Sequence, residues 1–434
     1  MLILGGCVTS PEELLSVPKA PSAYLEIQNS LDKILKQNAQ YMAPVSGNNR
    51  NSVQFIDLDN DGIDEVLSCF LVKNGEVNIP RIYIHKRSGG EYIEIGHLDG
   101  YGDSIDCIWY PELFFGDEKA IVIGWRLGTS PKCGITVVSC ENNSLRTLYS
   151  GEYTSLSVTD LDSDGSDEII LLSYSSTADP GVAKLLSYES NDLVEISTAP
   201  LSQGIVSPGK VRNVKIASNT PAVIAEGLMY DNGYISDCLI FSGGMLKNVF
   251  YDEAYGYSIH TFRTMPIYSG DINNDGFIEF PKPELVPGTL GMQLFWRIDW
   301  QQYNADSTLS RTVSTFLNIS DRWMYTFPEE LVGKLTVTRG EDSDEASSLV
   351  FRSIESDGSM GHALWEIYRI SGENRRDLLA RYGLSELART FDTIYACKIL
   401  DSTHEYSQTE SEIKKCFDLI QNEWIYEHWA EQIN

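Results

Sequence analysis

The chain has 434 residues, a hydrophobic fraction of 42%, and 62 acidic against 33 basic residues for a formal net charge of −29. That length admits two or three domains, or one long repeat array with an appendix. The acidity excludes binding to nucleic acid through its phosphate backbone, and no run of about 18 apolar residues offers a membrane-spanning helix.

The sequence begins Met1-Leu2-Ile3-Leu4-Gly5-Gly6-Cys7. Leu-Gly-Gly-Cys resembles the lipobox of bacterial lipoproteins, whose cysteine becomes the lipidated first residue. The resemblance implies a signal peptide before Cys7, a lipid on Cys7, and a membrane anchor on the extracytoplasmic face of a bacterial cell. A full signal has a basic n-region and a longer apolar run, so an ordinary buried cysteine is the competing reading. Residues 8 to 21 contain Ser and Pro and read as a tether, making 1–21 a lipobox remnant and linker. The remaining cysteines, 69, 107, 133, 140, 238, 397 and 416, are odd in number and lack CxxC spacing, which argues against zinc and against a dense disulfide framework. Cys133 and Cys140 lie on one strand-like run, on opposite faces. Most of the seven are expected to be small core residues.

Residues 22–44 form the next segment. Tyr24, Ile27, Leu31, Ile34 and Leu35 recur at helical spacing, so an amphipathic helix is expected from Tyr24 to about Ala39, ended by Pro44.

From residue 50 to residue 320 an acidic segment recurs three times: Asp57 to Val66 (DLDNDGIDEV), Asp160 to Ile169 (DLDSDGSDEI) and Asp271 to Phe280 (DINNDGFIEF). Each copy has oxygen side chains at positions 1, 3 and 5, a Gly at position 6 that permits a sharp turn, and a Glu at position 9. This is calcium-loop spacing, since a hard cation takes roughly six to eight oxygens. The expected ligands are Asp57, Asp59, Asp61, the Ile63 carbonyl and Glu65; Asp160, Asp162, Asp164, the Ser166 carbonyl and Glu168; and Asp271, Asn273, Asp275, the Phe277 carbonyl and Glu279. The third set is one charge poorer and expected to be weaker. None of the loops has a Glu at position 12, as an EF-hand would, and strand-like runs flank each one, so they read as hairpin loops of a β-protein. Plain acidic turns that bind nothing are the bland alternative.

Five units follow from Ser52 to Ser320, each a strand, a loop, a second strand and a terminal hairpin. The hairpins turn at Ser88-Gly89-Gly90, Glu141-Asn142-Asn143, Ser190-Asn191-Asp192, Ser242-Gly243-Gly244 and Asn304-Ala305-Asp306, where Gly and Asn supply turn conformations. Two units carry shortened loops without metal character, Phe115 to Lys119 and Ile216 to Thr220. Tyr101-Gly102-Asp103-Ser104-Ile105 returns as Tyr255-Gly256-Tyr257-Ser258-Ile259, which supports the same register.

With its loops set between strands at this spacing, the 50–320 segment resembles FG-GAP or VCBS-type calcium-loop β-propeller repeats of bacterial surface proteins. The resemblance implies a mainly β chain folded as a β-propeller, with five recognisable blade-like units in a ring that could extend to six or seven, and up to three structural Ca2+ ions. A β-sandwich is the alternative architecture.

Residues 321–434 change in texture. Strands are expected at Trp323 to Pro328, Lys334 to Arg339, Ser347 to Ile354 and Ala363 to Ile370, and helices at Asn374 to Arg381 and Glu410 to Trp424, the second capped by Thr409. A small α+β C-terminal domain is expected, with a sixth blade as the competing reading.

The six histidines, 85, 97, 260, 362, 404 and 428, show neither HxH nor HExxH spacing. No GxSxG, P-loop or dinucleotide-binding motif stands in a strand-to-helix context. Trp109, Trp125, Trp296, Trp300, Trp323 and Trp365 could stack sugars, but inter-blade packing is the preferred role. The function expected is therefore a non-catalytic, calcium-stabilised, lipid-anchored binding or scaffolding protein for a protein or carbohydrate ligand, with no nucleic acid and membrane contact only through the anchor. The alternative is an extracellular polysaccharide-active enzyme, a lyase or glycoside hydrolase, on the same scaffold; a cluster of acids, or a Lys or Arg with Tyr, lining the central channel would favour it.

Overall fold

The computed structural model describes residues 22–75, 77–114, 118–141, 144–286, 295–420 and 425. Cys7, the 8–21 linker, the shortened loop at 115–117 and the turn at Asn142-Asn143 lie outside these residues. The fold is mainly β. Among the described residues there are six antiparallel sheets of four or five strands, and the strands follow the chain from one sheet to the next.

The first sheet contains β1 (Ala39–Tyr41), β2 (Val53–Ile56), β3 (Glu65–Asn74), β4 (Val77–Ser88) and β5 (Glu91–Asp99). β1 and β2 lie end to end on the same edge of β3, opposite residues 70–72 and 65–68 respectively. The second sheet is β6 (Ser104–Trp109), β7 (Ile121–Arg126), β8 (Cys133–Glu141) and β9 (Ser144–Tyr153); the third is β10 (Ser155–Thr159), β11 (Glu168–Ser173), β12 (Gly181–Glu189) and β13 (Asp192–Leu201). The fourth is β14 (Ile205–Ile216), β15 (Thr220–Met229), β16 (Tyr234–Ser242) and β17 (Met245–Asn248). The fifth begins with β18 (Phe280–Leu285), β19 (Trp296–Tyr303), β20 (Leu309–Asn318) and β21 (Trp323–Phe327). The sixth is β22 (Leu335–Asp342), β23 (Ala346–Ile354), β24 (Met360–Ser371), β25 (Ser385–Arg389) and β26 (Thr393–Ile399), in the order β22-β23-β24-β26-β25. Last, β27 (Phe417–Leu419) returns to the fifth sheet and pairs with β21.

Three α-helices are described: α1 (Ser22–Leu35), α2 (Arg375–Tyr382) and α3 (Glu410–Cys416). The N-terminal helix stops at Leu35, short of the expected Ala39, because Ala39 to Tyr41 pair with β3 as a strand. α2 closes on Gly383 in the left-handed conformation at φ 61°, a common helix stop. α3 starts as expected on Thr409, which forms a capping box with Glu412. It ends at Cys416 rather than running on towards Trp424: Phe417 is extended at φ −101° and ψ 127°. Ile413, Cys416, Phe417 and Ile420 fit a helical period, yet Phe417 stacks on Trp323 at 5.8 Å and pairs with Tyr325, and this tertiary contact overrides the local pattern.

Contacts divide the described residues into two compact units, one drawn from those up to 154 with 165–169 and 186–194, the other from 155–164, 170–185 and those from 195 onward. In the first, the alternation along β3 sets the packing, because successive side chains point to opposite faces. Val66 and Phe70 meet Ile27, Leu31 and Ile34 of α1, while Leu67 and Cys69 meet Ile105, Ile121, Ile123 and Trp125 of the second sheet. In the second unit, β15 does the same. Val223 and Ala225 face Ile170, Leu172 and Leu185, while Ala222 and Ile224 face Phe250, Ile278 and Phe280. Phe316, Trp323 and Tyr325 of the fifth sheet pack against Phe351, Trp365 and Ile367 of the sixth.

The strand pairing adds two features to the C-terminal part that the sequence reading did not foresee. Trp323 to Phe327, assigned by sequence to a separate region, are a strand of the fifth sheet. β25 and β26 were absent from the expected elements, and they complete a five-stranded sixth sheet.

Candidate metal centre

The three acidic loops join β2 to β3, β10 to β11 and the segment after Gly270 to β18. Each is built alike. Position 2 is an apolar anchor, with Leu58 and Leu161 both 2% and Ile272 9% exposed. Position 4 takes positive φ, 55° at Asn60, 63° at Ser163 and 59° at Asn274, a conformation that short polar side chains tolerate. Gly62, Gly165 and Gly276 follow at φ 81°, 96° and 87°, where a Cβ would be strained.

The first acid of each loop turns back on the chain. Asp57 accepts from the Asp61 and Gly62 N–H groups at 3.2 and 2.9 Å, and Asp271 accepts from those of Asp275 and Gly276 at 3.0 Å each. Asp160 and Asp162 both accept from the Asp164 N–H at 3.1 Å. Asn273 accepts from the Asp275 N–H at 2.9 Å and donates through its amide to the Asp275 carboxylate at 3.0 Å. The position-7 N–H groups of Ile63 and Phe277 donate to Asp61 and Asp275 at 2.8 and 2.9 Å, and Ser166 is buried at the same position.

The position-9 glutamates are the buried members, with Glu65 and Glu168 at 1% exposure and Glu279 at 0%. Glu65 and Glu279 each accept the N–H of the position-2 anchor, Leu58 at 2.9 Å and Ile272 at 2.8 Å. Burial pushes the Glu65 carboxyl above its ordinary range and the Glu279 carboxyl up to about 7. Burial likewise raises Asp162. It would raise Asp275 too, but hydrogen bonds from the Phe277 N–H, Gln302 and Asn273 hold that carboxyl below its ordinary value.

Part of the expected ligand set comes together in the first two loops. Asp57, Asp59 and Asp61 offer oxygens within 4.8 Å of one another, as do Asp160, Asp162 and Glu168. Asp59 Oδ1 is a buried atom without a hydrogen-bond partner. A set of hard carboxylate oxygens with such a member fits a hard divalent cation such as Ca2+.

Two residues that the sequence reading did not select complete the loops. The strand register sets Val66 opposite His85 and Phe280 opposite Gln301, so the next rung sets Glu65 beside Lys86 and Glu279 beside Gln302. The Lys86 ammonium contacts Asp59 and lies 3.3 Å from Asp61 Oδ2 and 3.5 Å from Glu65 Oε1. The Gln302 amide donates to Asp275 Oδ2 and Glu279 Oε1, at 2.7 Å each. Both lie on the strand after the loop strand, and only a hairpin register drawn from the turns would have found them.

The other candidates take structural roles. Trp125, Trp300, Trp323 and Trp365 are fully buried, in keeping with packing rather than sugar stacking. The Trp125 and Trp300 indoles donate to Thr136 and Thr315 at 3.0 and 2.8 Å. All seven described cysteines are free. Ser258 of the second Tyr-Gly-x-Ser-Ile copy serves a buried carboxylate, since Asp237 accepts from the hydroxyls of Ser258 at 2.5 Å and Ser202 at 2.7 Å, and from Asn248 at 2.8 Å. Nearby, Lys210 Nζ and Arg212 Cζ stand 4.6 and 6.0 Å from the Tyr268 ring centre.

No family model matches this chain, and no curated protein matches it. Among solved structures, a protein from Lactobacillus plantarum aligns at 10% identity over 74% of this chain and 86% of its own, with a TM-score of 0.25. The rhamnogalacturonan lyase YesW aligns at 12% identity over 72% of this chain and 60% of its own, with a TM-score of 0.31. A Bacillus licheniformis rhamnogalacturonan lyase aligns at 11% identity over 74% and 71%, also with a TM-score of 0.31.

Proposed function

We propose that the protein is a non-catalytic, calcium-stabilised binding or scaffolding protein, held on the extracytoplasmic face of a bacterial membrane by a lipid on Cys7. Its six sheets serve as the blades of a β-propeller of the FG-GAP or VCBS type, which presents a surface to a protein or carbohydrate ligand. The recurrence of one loop geometry carries the calcium part of this reading: a back-folded first acid, a buried position-2 anchor and a buried position-9 Glu. The face-to-face packing of successive sheets within each unit supports the propeller. The sixth sheet takes the place of the expected α+β domain as a further blade.

In such loops the ion neutralises acids that otherwise repel one another, so binding and folding are linked. At a hundredfold excess of calcium over Kd, each site would add about 2.7 kcal/mol of stability. Thermal unfolding with calcium and with chelator tests this, run beside an Asp61→Ala, Asp164→Ala double variant. A calcium-dependent rise in Tm that shrinks in the variant supports the reading, and identical curves in calcium and chelator discard it.

The polysaccharide-active alternative draws on Lys210, Arg212 and Tyr268, a cationic and phenolic grouping suited to an anionic sugar. Arg212 is already held by Glu226 at 2.7 Å and the Ser269 carbonyl at 2.8 Å. Cleavage of a polysaccharide by the wild type but not by Tyr268→Phe would establish this reading in place of the binder.

A further inference from the structure

We infer that the first loop carries its own cation: the Lys86 ammonium is its built-in counter-ion, and calcium enters this loop only when the Lys86 side chain leaves. This refines the calcium reading above and rests on it for the other two loops.

The argument is a comparison of equivalent positions. Glu65 and Glu279 hold the same place in their loops, and the rung across the ladder is Lys86 in the first sheet and Gln302 in the fifth. Both side chains reach back among the loop acids. The Gln302 amide meets two of them as a neutral donor. Lys86 meets three, Asp59, Asp61 and Glu65, and brings a full positive charge. Its side chain is 21% exposed, whereas the side chain of Glu65 beneath it is 2% exposed, so the ammonium is the group that screens the buried carboxylate from the loop's exposed acids.

A divalent ion bound by Asp57, Asp59, Asp61 and Glu65 would need the space the ammonium holds, and two cations a few ångströms apart repel strongly. Calcium must therefore displace Lys86 into solvent, which separates it from three acids and weakens apparent affinity. The ranking read from sequence changes accordingly: the first loop has more acids than the third, but it is not the stronger calcium site. The device also gives the first sheet a loop that keeps its shape when calcium is scarce.

The test is Lys86→Gln, which gives the first loop the residue the third already has, with Lys86→Gln/Asp61→Asn as the control for location. Calorimetric titration with calcium chloride of the chelator-stripped protein reads stoichiometry and affinity, and thermal unfolding reads the counter-ion role. Lys86→Gln should melt below wild type in chelator, regain the loss in calcium, and bind one more ion, or bind at the first loop roughly tenfold tighter. The added Asp61→Asn should remove that gain. Equal melting in chelator, or equal stoichiometry and affinity for wild type and Lys86→Gln, overturns the inference. Failure of the calcium reading for the other loops gives a different pattern: wild type then binds no calcium, while Lys86→Gln binding a single ion that Asp61→Asn abolishes would leave the inference standing. No binding by either protein overturns both.

Discussion

Gln302 donates one amide hydrogen to Glu279 at 2.7 Å and the other to Asp275 at the same distance, so one neutral side chain ties the buried glutamate of the third loop to its exposed aspartate. Without a cation, Glu279 is a fully buried carboxyl supported by three neutral groups, the Gln302 amide, the Ile272 N–H and, at 3.4 Å, the Thr312 hydroxyl. Burial is the larger influence and raises its pKa to about 7.

A pH dependence follows from that shift. A carboxyl whose folded pKa lies above its unfolded value favours folding at low pH, and this contribution is lost as pH rises through the folded value. In chelator the protein should lose stability between about pH 4.5 and pH 7 through Glu279, by on the order of 3 kcal/mol. Glu279→Gln should flatten that part of the profile, and calcium should abolish it in the wild type. Denaturant midpoints across this range, in chelator and in calcium, give the measurement; an unchanged slope in Glu279→Gln would remove Glu279 as its source.

The buried pair Glu226 and Arg263 makes a second prediction. Both side chains are fully buried, and the pair is supplemented by Ser236, Ser269 and Arg212 at 2.7 to 3.0 Å. Removing Glu226 strands the fully buried Arg263 guanidinium, so Glu226→Met should destabilise by about 3–5 kcal/mol. Adding Arg263→Met should recover part of that loss. Equilibrium urea unfolding of the two variants checks the order.

Helix α1 offers a third. Leu31 is 1% exposed, in the cluster with Phe70, Tyr83 and Tyr92, so Leu31→Ala should cost about 2–5 kcal/mol. Leu25, at 59% exposure, lies off that face, and Leu25→Ala should change stability by less than about 0.5 kcal/mol. A matched pair of thermal melts separates a packed helix from a loosely tethered one.

Much of the local architecture was legible in the sequence, because each legible feature depends on the residues within it. The loop is written in positions 1 to 9, and the hairpins in their Gly and Asn turns. The helix at 22–35 shows in Ile27, Leu31 and Ile34, all of which are buried. What escaped depends on residues far apart in the chain. Lys86 and Gln302 become loop residues only through strand register. β1 is a strand because β3 offers it an edge, and Phe417 leaves its helix because Trp323 and Tyr325 receive it. Ser385 to Arg389 and Thr393 to Ile399 were missed for a similar reason: their pairing with each other and with β24 follows an intervening helix.

A fourth prediction concerns that receiving edge. Phe417 is 5% exposed and packs on Trp323 and Tyr395 at 5.8 and 5.7 Å. Phe417→Ala should cost about 3–5 kcal/mol and should speed hydrogen exchange at the Trp323 to Tyr325 amides, which mass-resolved exchange would detect.

The pairing of β27 with β21 also orders events during synthesis. The first four strands of the fifth sheet can form as soon as Phe327 has emerged from the ribosome, but its fifth strand is not made until the whole sixth sheet has been translated. Until Phe417 to Leu419 arrive, β21 presents an open edge able to pair with a neighbouring nascent chain. This three-residue strand thus works as a latch, closing the edge of β21 only after the sixth sheet has been made.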